Sequence, residues 1–131
     1  MKVLYLFAIC LTVALSNDFK EKSDQIDLNV LVGNWTLDLT PHDSTDVKFA
    51  MMNITKIQGN SFKGEFYRKG VKIKNAQINT QLGIIYGALT SGDRSGDYNT
   101  TFYYKDGRLH GTTHAIDKNF LSVWTATKNN Q

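Results

Sequence analysis

Three stretches of the chain carry residue types that could bind or react. In "VKIKNAQINT" (71–80), a strand reading sets Asn75, Gln77 and Asn79 in phase with Val71 and Ile73. If Val71 and Ile73 face a core, three amides line its interior. Buried amides need hydrogen-bond partners, which a ligand, waters or one another would supply. The open alternative is a bulge near residue 75, which swaps the faces and buries Ala76 and Ile78 instead. In "RLHGTTHAI", His110, Thr112 and His114 share a face. Histidines at i and i+4 on a strand stand roughly 13 Å apart, too far for joint metal ligation, so a solvated face is expected. "SGDRSGD" (91–97) offers Asp93 and Asp97 in a glycine-rich loop, as calcium loops begin, but no later bidentate carboxylate follows. An ordinary hairpin loop is the expectation there. The chain contains no nucleophile elbow, phosphate loop or His-Glu-x-x-His motif. No catalytic residue, metal or cofactor is therefore expected, and the reading leans against an enzyme.

The elements that must position these residues are strands. From residue 30 onward the apolar period is two rather than 3.6. Leu31, Trp35, Leu37 and Leu39 share one face, and Phe120, Ser122, Trp124 and Ala126 another. Turn signals separate the runs: "IQGN", "RKG", "SGDRSG", "KDG" and "IDKN". The runs fall near 30–39, 47–57, 61–68, 71–79, 82–90, 97–105, 108–115 and 119–128. Short connections force antiparallel neighbours. Eight strands in simple succession close most economically as an antiparallel up-and-down barrel, because closure removes exposed edges. The fold class is all-β, with a sandwich as the runner-up.

The first sixteen residues, "MKVLYLFAICLTVALS", stand apart: one early lysine, an apolar stretch and a small-x-small end. That is the layout of a secretory signal peptide and is too short for a stable membrane span. Its cleavage would remove Lys2 from the 15 basic residues and Cys10, the single cysteine, leaving 14 basic against 12 acidic residues. Nucleic acid is not expected as a partner, since no Lys/Arg run with interleaved aromatics occurs. The expected location is secreted or periplasmic. Residues 17–29 read as a flexible polar leader, or at most a turn or two of helix, and 30–131 as one barrel domain. Three Asn-x-Thr triplets, at Asn34, Asn53 and Asn99, are close to what this composition yields by chance.

"LVGNWTLDL" (31–39) places Gly33 and Trp35 at the start of the first strand. This resembles the calycins, the superfamily of avidins, lipocalins and related small barrels, whose first strand carries a Gly-x-Trp with the indole plugging one barrel end. The resemblance implies that Lys128, closing "SVWTATK", covers that indole by a cation–π contact, with Gly33, Trp35 and Lys128 in structural roles. Two features depart from the avidin pattern. There are only two tryptophans, Trp35 and Trp124, and "YRKGVK" is a tight turn where the biotin site has a mobile loop. The related bacterial metalloprotease inhibitors usually carry a disulfide, which a chain without Cys10 cannot form.

The function this supports is noncovalent binding of a small molecule in the barrel lumen, with Trp35, Asn75, Gln77, Asn79, Tyr86 and Trp124 as candidate ligand contacts. The alternative is a protein-binding or protease-inhibitor module acting through the barrel loops. Two runs are apolar on both faces, "LGIIYGAL" and "FLSVWTA". They predict a homo-oligomer that buries Ile85, Leu89, Leu121 and Val123, with a covering leader as the competing expectation.

Overall fold

A computed structural model describes residues 25–43, 45 and 48–130. The signal-peptide expectation and most of the leader lie outside these residues. Eight antiparallel strands follow one another: β1 (Gly33–Asp38), β2 (Phe49–Gln58), β3 (Ser61–Tyr67), β4 (Ile73–Asn79), β5 (Tyr86–Asp93), β6 (Gly96–Lys105), β7 (Arg108–Ala115) and β8 (Phe120–Lys128). They form one sheet in the order β3-β2-β1-β8-β7-β6-β5-β4. The sheet nearly closes, as β3 and β4 meet through a few bonds. Ile78 N donates to Asn60 O at 2.7 Å and Phe66 N to Val71 O at 3.0 Å, while Ser61 Oγ donates to Ala76 O at 2.7 Å. The architecture is the all-β up-and-down barrel that the periodicity predicts. Among the described residues, no helix is long and apolar enough to cross a membrane.

The first run begins later than its pattern suggests. Residues Leu28–Leu31 form a 3₁₀ turn, capped by the Asp27 carboxylate, which accepts from Asn29 N at 2.9 Å. Leu31 is fully buried, and Ile26, Leu28 and Val30 pack against the core. The described end of the leader therefore covers one end of the barrel. Trp35 fixes it there, because its Nε1 donates to Leu31 O at 2.8 Å. Gly33, at φ +138°, lets the chain turn into β1. A Cβ there would touch the Lys128 stem at 3.4 Å. With only hydrogen at that position, the stem lies across Gly33 and carries Lys128 Nζ to 5.2 Å from the Trp35 ring centroid.

Side chains occupy the barrel interior. Phe66 stands 6.2 Å from Trp124, and Phe62 stands 6.0 Å from Phe102. Gly87 and Gly111 flank Phe102 in register and face inward with it. A Cβ added at Gly87 would come within 2.2 Å of the Phe102 ring, and one at Gly111 within 2.3 Å of the Trp124 ring. At these two positions there is no space for even a methyl group.

Candidate functional site

The structure decides between the two facings of β4 and takes the bulge; the lumen placement of the three amides is corrected. The register of β4 against β5 shifts between Ile73 and Asn75, the bulge that the amide pattern left open. Beyond that shift Ala76 and Ile78 are buried, and Asn75, Gln77 and Asn79 point outward into solvent. The three amides do not line the lumen. Tyr86 is outside as well, 39% exposed, because β5 turns Ile85, Gly87 and Leu89 inward. Trp35 and Trp124 remain inside, each 1% exposed.

These outward residues belong to a larger pattern. Pairing across β4 to β8 aligns Gln77, Ala88, Thr101, Thr112 and Val123 in one outer row. The next outer row is Asn79, Tyr86, Tyr103, His110 and Thr125, which continues to Asp38 on β1. On the other side lie Asn75, Thr90, Asn99, His114 and Leu121. None of these fifteen positions carries Lys, Arg, Asp or Glu. Charge returns at Asp38, where the second row reaches β1, and toward the strand ends, at Lys105 and Arg108 and at the Lys74–Asp97 ion pair of 3.0 Å.

Between the first two rows runs an open groove of about 1330 Å³. Its floor is the inward row Ile78, Gly87, Phe102, Gly111 and Trp124, whose side chains point the other way. The β1–β2 connection stands at one end, with Pro41, His42 and Asp43 beside Asp38 and Arg108. Four of the six sequence-derived ligand contacts meet in this groove: Gln77, Asn79, Tyr86 and, in the floor, Trp124. Asn75 and Trp35 do not line it.

Periodicity placed His110 and Thr112 with His114 on one solvated face, as they are, but did not join them to Thr101 and Tyr103 in this wall. The signal was their cross-strand register, which needs pairing partners and not only period. Tyr103 and His110 stack at 4.9 Å between centroids and 12° between planes, and Tyr86 leans on Tyr103 at 6.2 Å. Thr101 and Thr112 share a hydrogen bond of 3.0 Å between hydroxyls. The Asn79 side-chain oxygen accepts from Gln81 N at 2.9 Å, which leaves its NH₂ to donate. The groove thus presents amide and hydroxyl groups beside aromatic rings.

A second concavity, of about 710 Å³, lies at the β3–β4 seam. Its lining includes Lys63, Lys72 and Lys74 with Glu65. Lysines beside a partly paired strand edge discourage another chain from adding to it.

The 91–97 loop is tied to neighbours through both carboxylates. Asp93 pairs with Arg68 and accepts from Ser95, and Asp97 pairs with Lys74. The hydrogen bonds from the Ser95 side chain and backbone hold the Asp93 carboxyl below its ordinary value, with Arg68 adding to the effect. Among the described residues no group of three or more His, Cys, Asp or Glu side chains is placed to hold a metal ion.

The assembly surface expected from the sequence also needs correction. Ile85 and Leu89 are core residues, 2% and 3% exposed, so no partner can reach them. Leu121 and Val123 stay on the surface, each 59% exposed, on the same uncharged wall. Comparison with protein-family models, with curated proteins and with solved structures gives no match for this chain.

Proposed function

We propose that the protein binds a small molecule noncovalently, and that its site is the outer groove across β4 to β8. The observation that carries this reading is the pairing of an interior occupied by rings beside Gly87 and Gly111 with an outer groove whose wall is uncharged except at one end, where Asp38, Asp43 and Arg108 stand. No methyl group fits beside those two glycines, while the outer groove has room for more than a small ligand needs. The signal-peptide layout of residues 1–16 supports action outside the cytoplasm. The Gly-x-Trp strand with its covering lysine supports kinship with the calycin barrels, many of which bind ligands.

The test is an amide-resolved NMR screen of the purified protein against a library of neutral metabolites. Shifts centred on Gln77, Ala88, Thr101 and Thr112 are expected. Shifts centred on core positions such as Leu37 and Met52, or on the β3–β4 seam, would overturn the groove assignment.

A second reading uses the same wall differently. Leu121 and Val123 form an exposed aliphatic pair on a face depleted of charge, the composition of a protein interface core. On this reading the wall meets a second copy of the chain. Sedimentation at micromolar concentration should then show a dimer or larger assembly that Val123→Lys returns to monomer.

A further inference from the structure

We infer that the ligand class of the outer groove is an uncharged oligosaccharide, an inference that rests on the groove reading above. A sugar ring has a C–H face that is weakly positive and a rim of hydroxyls that both donate and accept. The wall offers the complement of each. Tyr86 and Tyr103, 39% and 36% exposed, present ring surface, with one face of Tyr103 taken up by His110 and the exposed remainder electron-rich. Gln77 and Asn79 offer amide groups, and the Thr101–Thr112 pair keeps one hydroxyl donor and spare lone pairs after its shared bond.

The electrostatics narrow the class. A phosphate, sulfate or carboxylate ligand would call for arginine or lysine along the wall, and the fifteen positions carry none; the one arginine of the groove lining, Arg108, stands at its end in company with the carboxylates of Asp38 and Asp43. A purely apolar ligand would leave the amides and hydroxyls beneath it unpaired, at a desolvation cost for each. A neutral ligand with many hydroxyls meets both conditions.

The dimensions suit a chain rather than a single ring. Adjacent strands lie roughly 4.8 Å apart, so a row across five strands runs about 19 Å. Equivalent side chains repeat at close to the length of one hexose unit, which lets successive sugar residues meet successive strands.

The experiment titrates the purified protein with maltotriose, cellotriose, chitotriose and mannotriose, followed by amide-resolved NMR. At least one should saturate shifts on Gln77, Thr101 and Tyr103. Tyr103→Ala, a change at an exposed position, should weaken that ligand about tenfold, the upper end of what one ring face contributes. Addition of a uronic-acid trimer of the same size should give weaker shifts. If the trisaccharides leave the spectrum unchanged while another neutral small molecule shifts those amides, the saccharide inference fails and the groove stands. If nothing in either set shifts them and the protein sediments as a dimer that Val123→Lys dissociates, both fail.

Discussion

The same five strands, β4 to β8, present two faces built on opposite rules. The inner face is made of rings and aliphatic chains packed until a single methyl no longer fits beside Gly87 or Gly111. The outer face is open and polar, and carries no charged side chain in its three central rows. A solvated barrel wall usually mixes both signs of charge, and the β3–β4 seam of this molecule follows that rule with Lys63, Lys72, Lys74 and Glu65. The seam is where an unpaired edge needs protection; the wall has every strand paired on both sides from β5 to β8. Absence of charge on the wall is therefore not explained by folding. Contact with something uncharged, the reading proposed above, would account for it.

If this division holds, truncating a ring should be costly inside and cheap outside. Trp124→Ala removes a fully buried indole that packs on Phe66 and donates from Nε1 to Thr113 Oγ1 at 3.0 Å. A loss of about 3–5 kcal/mol is expected in urea unfolding. Tyr103→Ala on the outer face should cost under about 1 kcal/mol, because only its stacking on His110 and Tyr86 is lost. Equal losses for the two variants would erase the distinction between the faces.

A smaller effect of opposite chemistry should come from adding atoms. Gly111→Ala drives a methyl toward the Trp124 ring, which is buried and cannot swing clear. Overpacking of this kind costs about 1–3 kcal/mol. Thr112→Val, the next residue but outward, should change stability by no more than about 0.5 kcal/mol. The same substitution removes a groove hydroxyl, so it separates stability from ligand binding.

Much of this was readable in the sequence, and the failures have definite causes. Period-two patterning with Gly, Asn and Asp turns gave all eight strands, since alternation and turn chemistry are local. Facing was harder. On β4 the pattern left two facings open, and the bulge between Ile73 and Asn75, one of the two, settles it. On β5 both faces are apolar, and the choice was made by Phe102 on the neighbouring strand, which needs Gly87 opposite it and so turns Ile85 and Leu89 inward. That constraint joins residues on two strands and leaves no trace in either run alone. Around residue 29 the reading allowed a turn or two of helix, and a single 3₁₀ turn is there: Ile26 and Leu28 are too sparse for an amphipathic helix yet pack on the core with Leu31 beside Trp35. The groove was invisible because it exists only once five strands are in register.

The inner face has one polar exception that sharpens the comparison. Thr100 and Thr113 share a bond of 3.0 Å, but the Ser91 Oγ is buried without a partner among the described residues. An unpaired buried hydroxyl costs about 1–3 kcal/mol, whereas alanine at the same place costs little packing. Ser91→Ala should therefore raise stability by about 1 kcal/mol, or about 4–8 °C in melting temperature for a domain of this size. A fall in melting temperature would mean that the hydroxyl is serving a partner after all.

The smallest effect lies at the strand ends, where charge returns. Asp93 is partly exposed, and its carboxyl sits below its ordinary value of 3.8 because the Ser95 hydroxyl and backbone N–H donate to it and Arg68 stands beside it. A carboxylate lowered in the folded state stabilises the fold above the ordinary value, and that contribution disappears as pH falls through the lowered one. Ser95→Ala deletes the largest cause and leaves the backbone bond and Arg68 in place. The Asp93 carboxyl should then titrate closer to 3.8 in a carbon-detected NMR series, and the acid limb of the stability profile should flatten slightly below that pH. Arg68→Gln removes a lesser cause and should move the titration less. The reverse order would show that the ion pair, rather than the local turn, sets the charge at this border of the wall.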